Sequence, residues 1–184
     1  MIPHPIESVC VYCGSRHGDD LAFTHEARAL GAGVAERGLR LVYGAGDVGL
    51  MGEVARAALG AGGQAVGVIP RHIMEMEVGR RDLTALIVTD TMHERKKIMF
   101  ANADVVVAMP GGAGTVDELV EVLTWRQLGL HEKPLIVMNV GGYWDPLLAL
   151  IDAIIARGFA SESLRGFLTV TADARETLAR IAAL

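Results

Sequence analysis

Two rhythms of apolar residues alternate along the chain. Short, nearly continuous apolar runs, most of them rich in β-branched residues, recur at Val9–Tyr12, Arg40–Tyr43, Ala65–Ile69, Ala85–Thr89, Val105–Met109, Leu135–Val140 and Leu168–Val170. Runs of this kind are expected of strands covered on both faces. Between them, Leu21–Arg37, Leu50–Ala61, His93–Ala103, Val116–Leu128, Pro146–Arg157 and Ala174–Ala183 carry the three-to-four-residue repeat of helices. Strand followed by helix, repeated, predicts parallel strands joined by right-handed crossovers. The expectation is one α/β domain over residues 1–184, a Rossmann-like doubly wound fold. It has a mainly parallel sheet of about seven strands with helices on both faces. No linker and no low-complexity segment interrupts the pattern.

Composition narrows the function classes. The 184 residues are 51% hydrophobic and 5% aromatic, with a net charge of −5. No Lys/Arg-rich block stands out, so nucleic acid is not expected as a partner. The longest uncharged run, Ala57–Pro70, contains four glycines and a proline. It is too short to cross a bilayer, so no membrane partner is expected. The N-terminal stretch lacks the basic-then-apolar layout of a secretion signal, and a cytoplasmic protein is expected. Cys10 and Cys13 have Cys-x-x-Cys spacing, which invites a redox or zinc reading. On a strand, however, positions three apart face opposite sides, and no second ligand pair exists. Two buried reduced thiols and no metal site are the expectation.

In a doubly wound sheet, ligands bind beyond the carboxyl ends of the strands. Three loops there are unusual: CGSR at 13–16, YGAGDVGLMG at 43–52 and PGGAGT at 110–115. Glycines let the backbone approach a ligand closely, and the N–H groups of the following helix, with its dipole, favour a phosphate. Gly44-Ala45-Gly46 with Gly49 matches dinucleotide spacing, but it follows the second strand. No ribose-binding acid ends the next strand, which closes on Ile69-Pro70. No nicotinamide or flavin cofactor is expected, and no Gly-Lys-Ser/Thr follows any of these loops.

Glu118 admits two readings. Thr115-Val116-Asp117-Glu118 has the spacing of a capping box, with Thr115 as N-cap. Alternatively, Glu118 is a carboxylate beside a glycine-built anion site, able to stabilise a cation or activate water. Upstream, MHERKK at 92–97 places Arg95, Lys96 and Lys97 at a helix start, where cations are disfavoured. Either a solvated charged turn, an anionic ligand or a compensating carboxylate accounts for them.

Taken together, PGGAGTVDE, MHERK, YGAGDVGLMG and TWRQLGLHEKP resemble the Lonely Guy family over nearly the whole chain. These are cytokinin riboside 5′-monophosphate phosphoribohydrolases, often labelled possible lysine decarboxylases. The resemblance implies a Rossmann-like homodimer, without a cofactor. It would cleave the N-glycosidic bond of adenine-type nucleoside 5′-monophosphates, releasing free base and ribose 5-phosphate. It also implies that Arg95 and Glu118 are catalytic. Glu77, Lys96, Gly111, Gly112, Gly114, Thr115 and Thr124 are then the substrate-binding residues. Ala113 stands where the family often has Tyr, and Asp117 replaces the first acid of the usual Glu-Glu pair. A non-catalytic nucleotide carrier on the same fold is the alternative. A pyridoxal-dependent decarboxylase would need a Schiff-base lysine, and Lys96, Lys97 and Lys133 are the only lysines.

Overall fold

The computed structural model describes residues 5–74 and 83–184. Seven strands form one all-parallel sheet: β1 (Ser8–Tyr12), β2 (Arg40–Tyr43), β3 (Gln64–Pro70), β4 (Ala85–Thr89), β5 (Val105–Ala108), β6 (Leu135–Met138) and β7 (Leu168–Thr171). Their order is β4-β3-β2-β1-β5-β6-β7. The chain starts at the centre, steps outward to β4, crosses back to β5 and steps outward to β7. Topology therefore reverses between β1 and β5, where Val9 pairs with Val105 and Tyr12 with Ala108. That junction is where such a sheet opens a crevice for a ligand.

The helices are α1 (Leu21–Glu36), α2 (Gly49–Gly60), α3 (Arg71–Met74), α4 (Met92–Ala101), α5 (Ala113–Gln127), α6 (Asp145–Ala156), α7 (Ser163–Gly166) and α8 (Ala174–Ala182). Alternate residues of the strands feed two cores. Val9, Val11, Leu41 and Val107 pack with Leu30 and Val34 of α1, Val54 and Ala58 of α2, and Leu178 of α8. Cys10, Tyr12, Val42 and Val106 pack on the other face with Met99 of α4, Leu119 and Val122 of α5, and Leu148 of α6. Each such large apolar side chain contributes about 1.5–3 kcal/mol on leaving water. The strand runs read from sequence are all present.

Cys13 belongs to the first core and Cys10 to the second, both free and buried. Burial raises both thiols well above their ordinary pKa. The short elements α3, α7 and a 3-10 turn at Val140–Gly142 were not anticipated. They are shorter than the window over which periodicity can be read. Among the described residues no helix is long and apolar enough to cross a membrane.

Candidate active site

The loop after β5 delivers α5 to the crevice. Gly112 caps the helix with φ −85° and ψ −162° and makes no side-chain cap bond. The N–H of Val116 donates to the Gly112 carbonyl at 3.1 Å. The amides of Ala113, Gly114 and Thr115 precede any carbonyl they could reach within the helix, so they face outward for a ligand. A Cβ on Gly112 or Gly114 would meet nothing within 4 Å, which leaves both backbones open to an incoming group. At Gly111 the opposite holds. A Cβ would lie 2.1 Å from the Thr115 hydroxyl and 2.8 Å from the Gly14 nitrogen.

The capping box expected at Thr115–Glu118 does not form. Because α5 begins at Ala113, Thr115 and Glu118 both lie inside the helix, too late to cap it. Thr115 is buried against the glycine loop. The real capping box belongs to α4. There the Thr91 hydroxyl accepts from the Glu94 N–H at 3.1 Å, and the Glu94 carboxylate accepts from the Thr91 N–H at 3.1 Å.

That box fixes the start of α4 and so aims its two following cations, which are both buried. Arg95 donates from Nε to the Val68 carbonyl at 3.1 Å and from Nη2 to the Gly44 carbonyl at 2.9 Å. The ends of β2 and β3 thus hold the guanidinium by neutral acceptors that leave its charge uncancelled. Gly44 is what admits it, since a Cβ there would lie 1.9 Å from Nη2. Lys96 donates to Asp117 at 2.9 Å and approaches Glu121 at 3.1 Å, tying α4 to α5. Burial works against its ammonium, but these two carboxylates outweigh it and hold the pKa above the ordinary value. The compensating carboxylates considered from sequence are therefore Asp117 and Glu121. Lys97 is exposed.

Glu118 is buried at 9% exposure beside these groups. It lines a cleft of about 280 Å³ with Arg95, Thr115, Met51, Ile73 and Ser15. Burial raises its carboxyl to a pKa of about 7, and the Arg95 charge is the main force pulling the other way. Near neutral pH the group is divided between its acid and base forms. A carboxyl so poised can donate a proton or support a developing positive charge.

The loop after β1 closes the other side. The Gly14 N–H donates to the Pro110 carbonyl at 3.0 Å, and the Met51 N–H donates to the Gly14 carbonyl at 3.2 Å. The Tyr143 hydroxyl donates to the Gly111 carbonyl. A second cavity of about 360 Å³ adjoins the first across Ser15 and Gly112.

The structure thus gathers Arg95, Glu118, Gly112, Gly114 and Thr115 around one cleft, with Gly111 packed beneath and Lys96 behind. It does not bring Thr124 there. That residue is exposed, donates to the Val120 carbonyl at 2.8 Å and sits about 9 Å further along the helix axis than Glu118. Glu77 lies outside the described residues. Glu53 was missed in the sequence. Buried in α2, it holds His17, Arg28 and Arg56 at 3.2, 2.7 and 2.8 Å. Its only sequence signal is a lone acid within the apolar-rich run GLMGEVARAALG.

The chain matches a family model described as possible lysine decarboxylase over residues 51–181. It is 42% identical over 173 residues to the probable cytokinin riboside 5′-monophosphate phosphoribohydrolase LOGL1 of Oryza sativa subsp. japonica, covering 94% of this chain and 78% of that one. To the cytokinin riboside 5′-monophosphate phosphoribohydrolase LOG1 of Arabidopsis thaliana it is 37% identical over 180 residues, covering 98% and 84%. Among solved structures, the molybdenum cofactor carrier protein of Chlamydomonas reinhardtii is similar with a TM-score of 0.72 at 22% identity. That match covers 97% of this chain and 99% of the other. The molybdenum cofactor binding protein of Rippkaea orientalis has the same TM-score at 21% identity, covering 100% and 98%. At those identities the two structural likenesses speak to the fold alone.

Proposed function

The chain belongs to the family described as possible lysine decarboxylase, the Lonely Guy family, and from that premise we propose how its cleft works. The protein hydrolyses the N-glycosidic bond of cytokinin-type nucleoside 5′-monophosphates and releases the free base and ribose 5-phosphate. The observation that carries the site assignment is Glu118, buried at the head of the cleft with its pKa raised to about 7 and Arg95 alongside.

N-ribosidic hydrolysis passes through an oxocarbenium-like state. In its ionised form Glu118 stabilises that charge and polarises the attacking water. In its protonated form it supplies a proton towards the departing base. Arg95, anchored by two carbonyls, holds a permanent positive charge next to it. The outward amides of α5 bind the 5′-phosphate, whose distance from the reacting carbon lets binding energy orient the ribose. Lys96 acts from behind, fixing α5 through Asp117 and Glu121.

The label of lysine decarboxylase does not fit the lysines. Lys96 is committed to two carboxylates, Lys97 is exposed, and Lys133 donates to the Phe100 and Ala103 carbonyls at 2.7 and 2.6 Å. None stands free in a pocket as a Schiff-base amine would.

A homodimer belongs to the same proposal. Exposed apolar side chains, among them Val120 of α5 and Met92 of α4, support it. A monomer mass by light scattering at micromolar concentrations would count against it. We also place the protein in the cytoplasm, in keeping with its two free cysteines. The activity is tested by incubating the protein with AMP and isopentenyladenosine monophosphate and measuring free base. Binding of either nucleotide with no base released would favour the carrier reading.

A further inference from the structure

Glu53 is a buried carboxylate that the reaction does not use. It is 8% exposed, yet three cationic or potentially cationic side chains converge on it from three places. They are His17 from the loop after β1, Arg28 from α1 and Arg56 from α2. Arg56 also donates to the Asp47 carbonyl at 2.9 Å and so reaches the loop after β2. The bond from Arg28, aided by those from Arg56 and His17, outweighs burial and holds Glu53 at a pKa of about 2. Its charge is therefore fixed, and so is the ring nitrogen of His17 that faces it.

The loop that carries His17 is held at several points. Gly14 is bonded on both sides, as described above. Gly49 has φ +60°, and a Cβ there would lie 2.2 Å from the Ser15 carbonyl carbon. Gly18, at φ +79°, has the Phe23 ring 2.8 Å from where its Cβ would be. Only glycine permits either approach. Ser15, Arg16 and His17 are thus presented on a rigid arch.

The arch lines the cavity of about 360 Å³, together with Gly111, Gly112 and Tyr143. Among the described residues no carboxylate lines it, whereas the reaction cleft next door contains Glu118. A dianion entering the crevice meets the Arg95 charge beside the Glu118 carboxyl on one side and the Arg16 charge on the other. At the neck formed by Ser15 and Gly112 it sits between the amides of α5 and the arch.

We propose that Arg16 and His17 form a second wall of the phosphate subsite, with Arg16 as its cation and Glu53 as the positioning residue that fixes His17. The α5 amides take one side of the 5′-phosphate, and the arch takes the other. This inference rests on the nucleotide reading of the cleft and adds to it the residues that select a phosphate.

Steady-state kinetics on AMP test it, with ribose 5-phosphate as competitive inhibitor and adenine as the phosphate-free probe. His17→Ala and Arg16→Ala should each raise the KM for AMP and the Ki for ribose 5-phosphate about tenfold, the scale of one hydrogen bond to a charged group. Inhibition by adenine should stay unchanged. His17→Gln, which keeps a donor towards Glu53, should recover part of the loss. Glu53→Gln should raise KM as well, and combining it with His17→Ala should add nothing further. Should His17→Ala lower the melting temperature sharply, Arg16→Ala, at an exposed side chain, carries the test. Unchanged KM and Ki in Arg16→Ala and His17→Ala would overturn the inference and leave the hydrolase reading intact. If the wild-type protein releases no base, the hydrolase reading fails. Calorimetric affinities for AMP and ribose 5-phosphate then decide the wall separately, and equal affinities in wild type and Arg16→Ala overturn it.

Discussion

Replacing Glu118 with Gln removes a charge and keeps the shape of the side chain. Two consequences follow from its burial. The first is catalytic. If the carboxylate stabilises the oxocarbenium-like state, kcat for AMP should fall by about two orders of magnitude or more, the scale of losing a main electrostatic stabiliser. The second is on stability. The folded pKa of about 7 lies above the ordinary carboxyl value of 4.5. Between those pH values the folded protein retains a proton that the unfolded chain has released. The contribution of Glu118 to stability is therefore fully present below 4.5 and is lost as pH rises through about 7, by about 3 kcal/mol in all. Gln does not titrate and escapes that decline. Glu118→Gln should thus gain melting temperature relative to wild type as pH rises from 5 to 8, by on the order of 5–10 °C for a chain of this size. Thermal melts of both proteins across that range, with kcat on the same preparations, read both effects. A near-normal kcat would remove Glu118 from the chemistry and move the search to Asp117 or Glu121. A melting-temperature difference that does not change with pH would refute the account of a buried, titrating carboxyl.

Gly44→Ala should displace the Arg95 guanidinium, because the new Cβ would lie 1.9 Å from Nη2. The expected result is a loss in kcat of about a hundredfold with about 1–3 kcal/mol of stability from the broken buried bond, read by kinetics and denaturant melts. An unaltered kcat would show that Arg95 does not need that anchor. AMP should be hydrolysed far better than adenosine, since the α5 amides act only on a phosphate, and equal kcat/KM for the two would contradict that role. Neither Cys10 nor Cys13 should react quickly with a thiol-specific disulfide reagent near pH 8, as burial raises both thiols. Rapid labelling of native protein would show the cores to be open.

The strand runs were legible because parallel strands buried on both faces leave unbroken apolar stretches. The cysteine pair was legible because strand geometry sends positions three apart to opposite sides. The capping box was misplaced for a specific reason. Both Thr91–Glu94 and Thr115–Glu118 have the spacing, and spacing cannot say where the helix begins. In α5 that point is set by Gly112, which caps without a side chain. The cations of α4 were noticed as an anomaly, and the sequence offered three remedies. The fold uses carboxylates for Lys96 and backbone carbonyls for Arg95. The carbonyl solution was invisible because Val68 and Gly44 are distant in sequence and carry no charge. Distance also hid the role of Glu53, two of whose partners are 25 and 36 positions away.

The strand order also bears on how the protein emerges from the ribosome. Everything from β1 to α4 is synthesised before β5, and this half already contains Arg95 and Lys96. Until α5 arrives, Lys96 has neither Asp117 nor Glu121, and an ammonium buried without them opposes compaction. The second half supplies the missing carboxylates in the same helix that delivers Glu118. The ion pairs of Lys96 thus form only once the helix that carries Glu118 is in place.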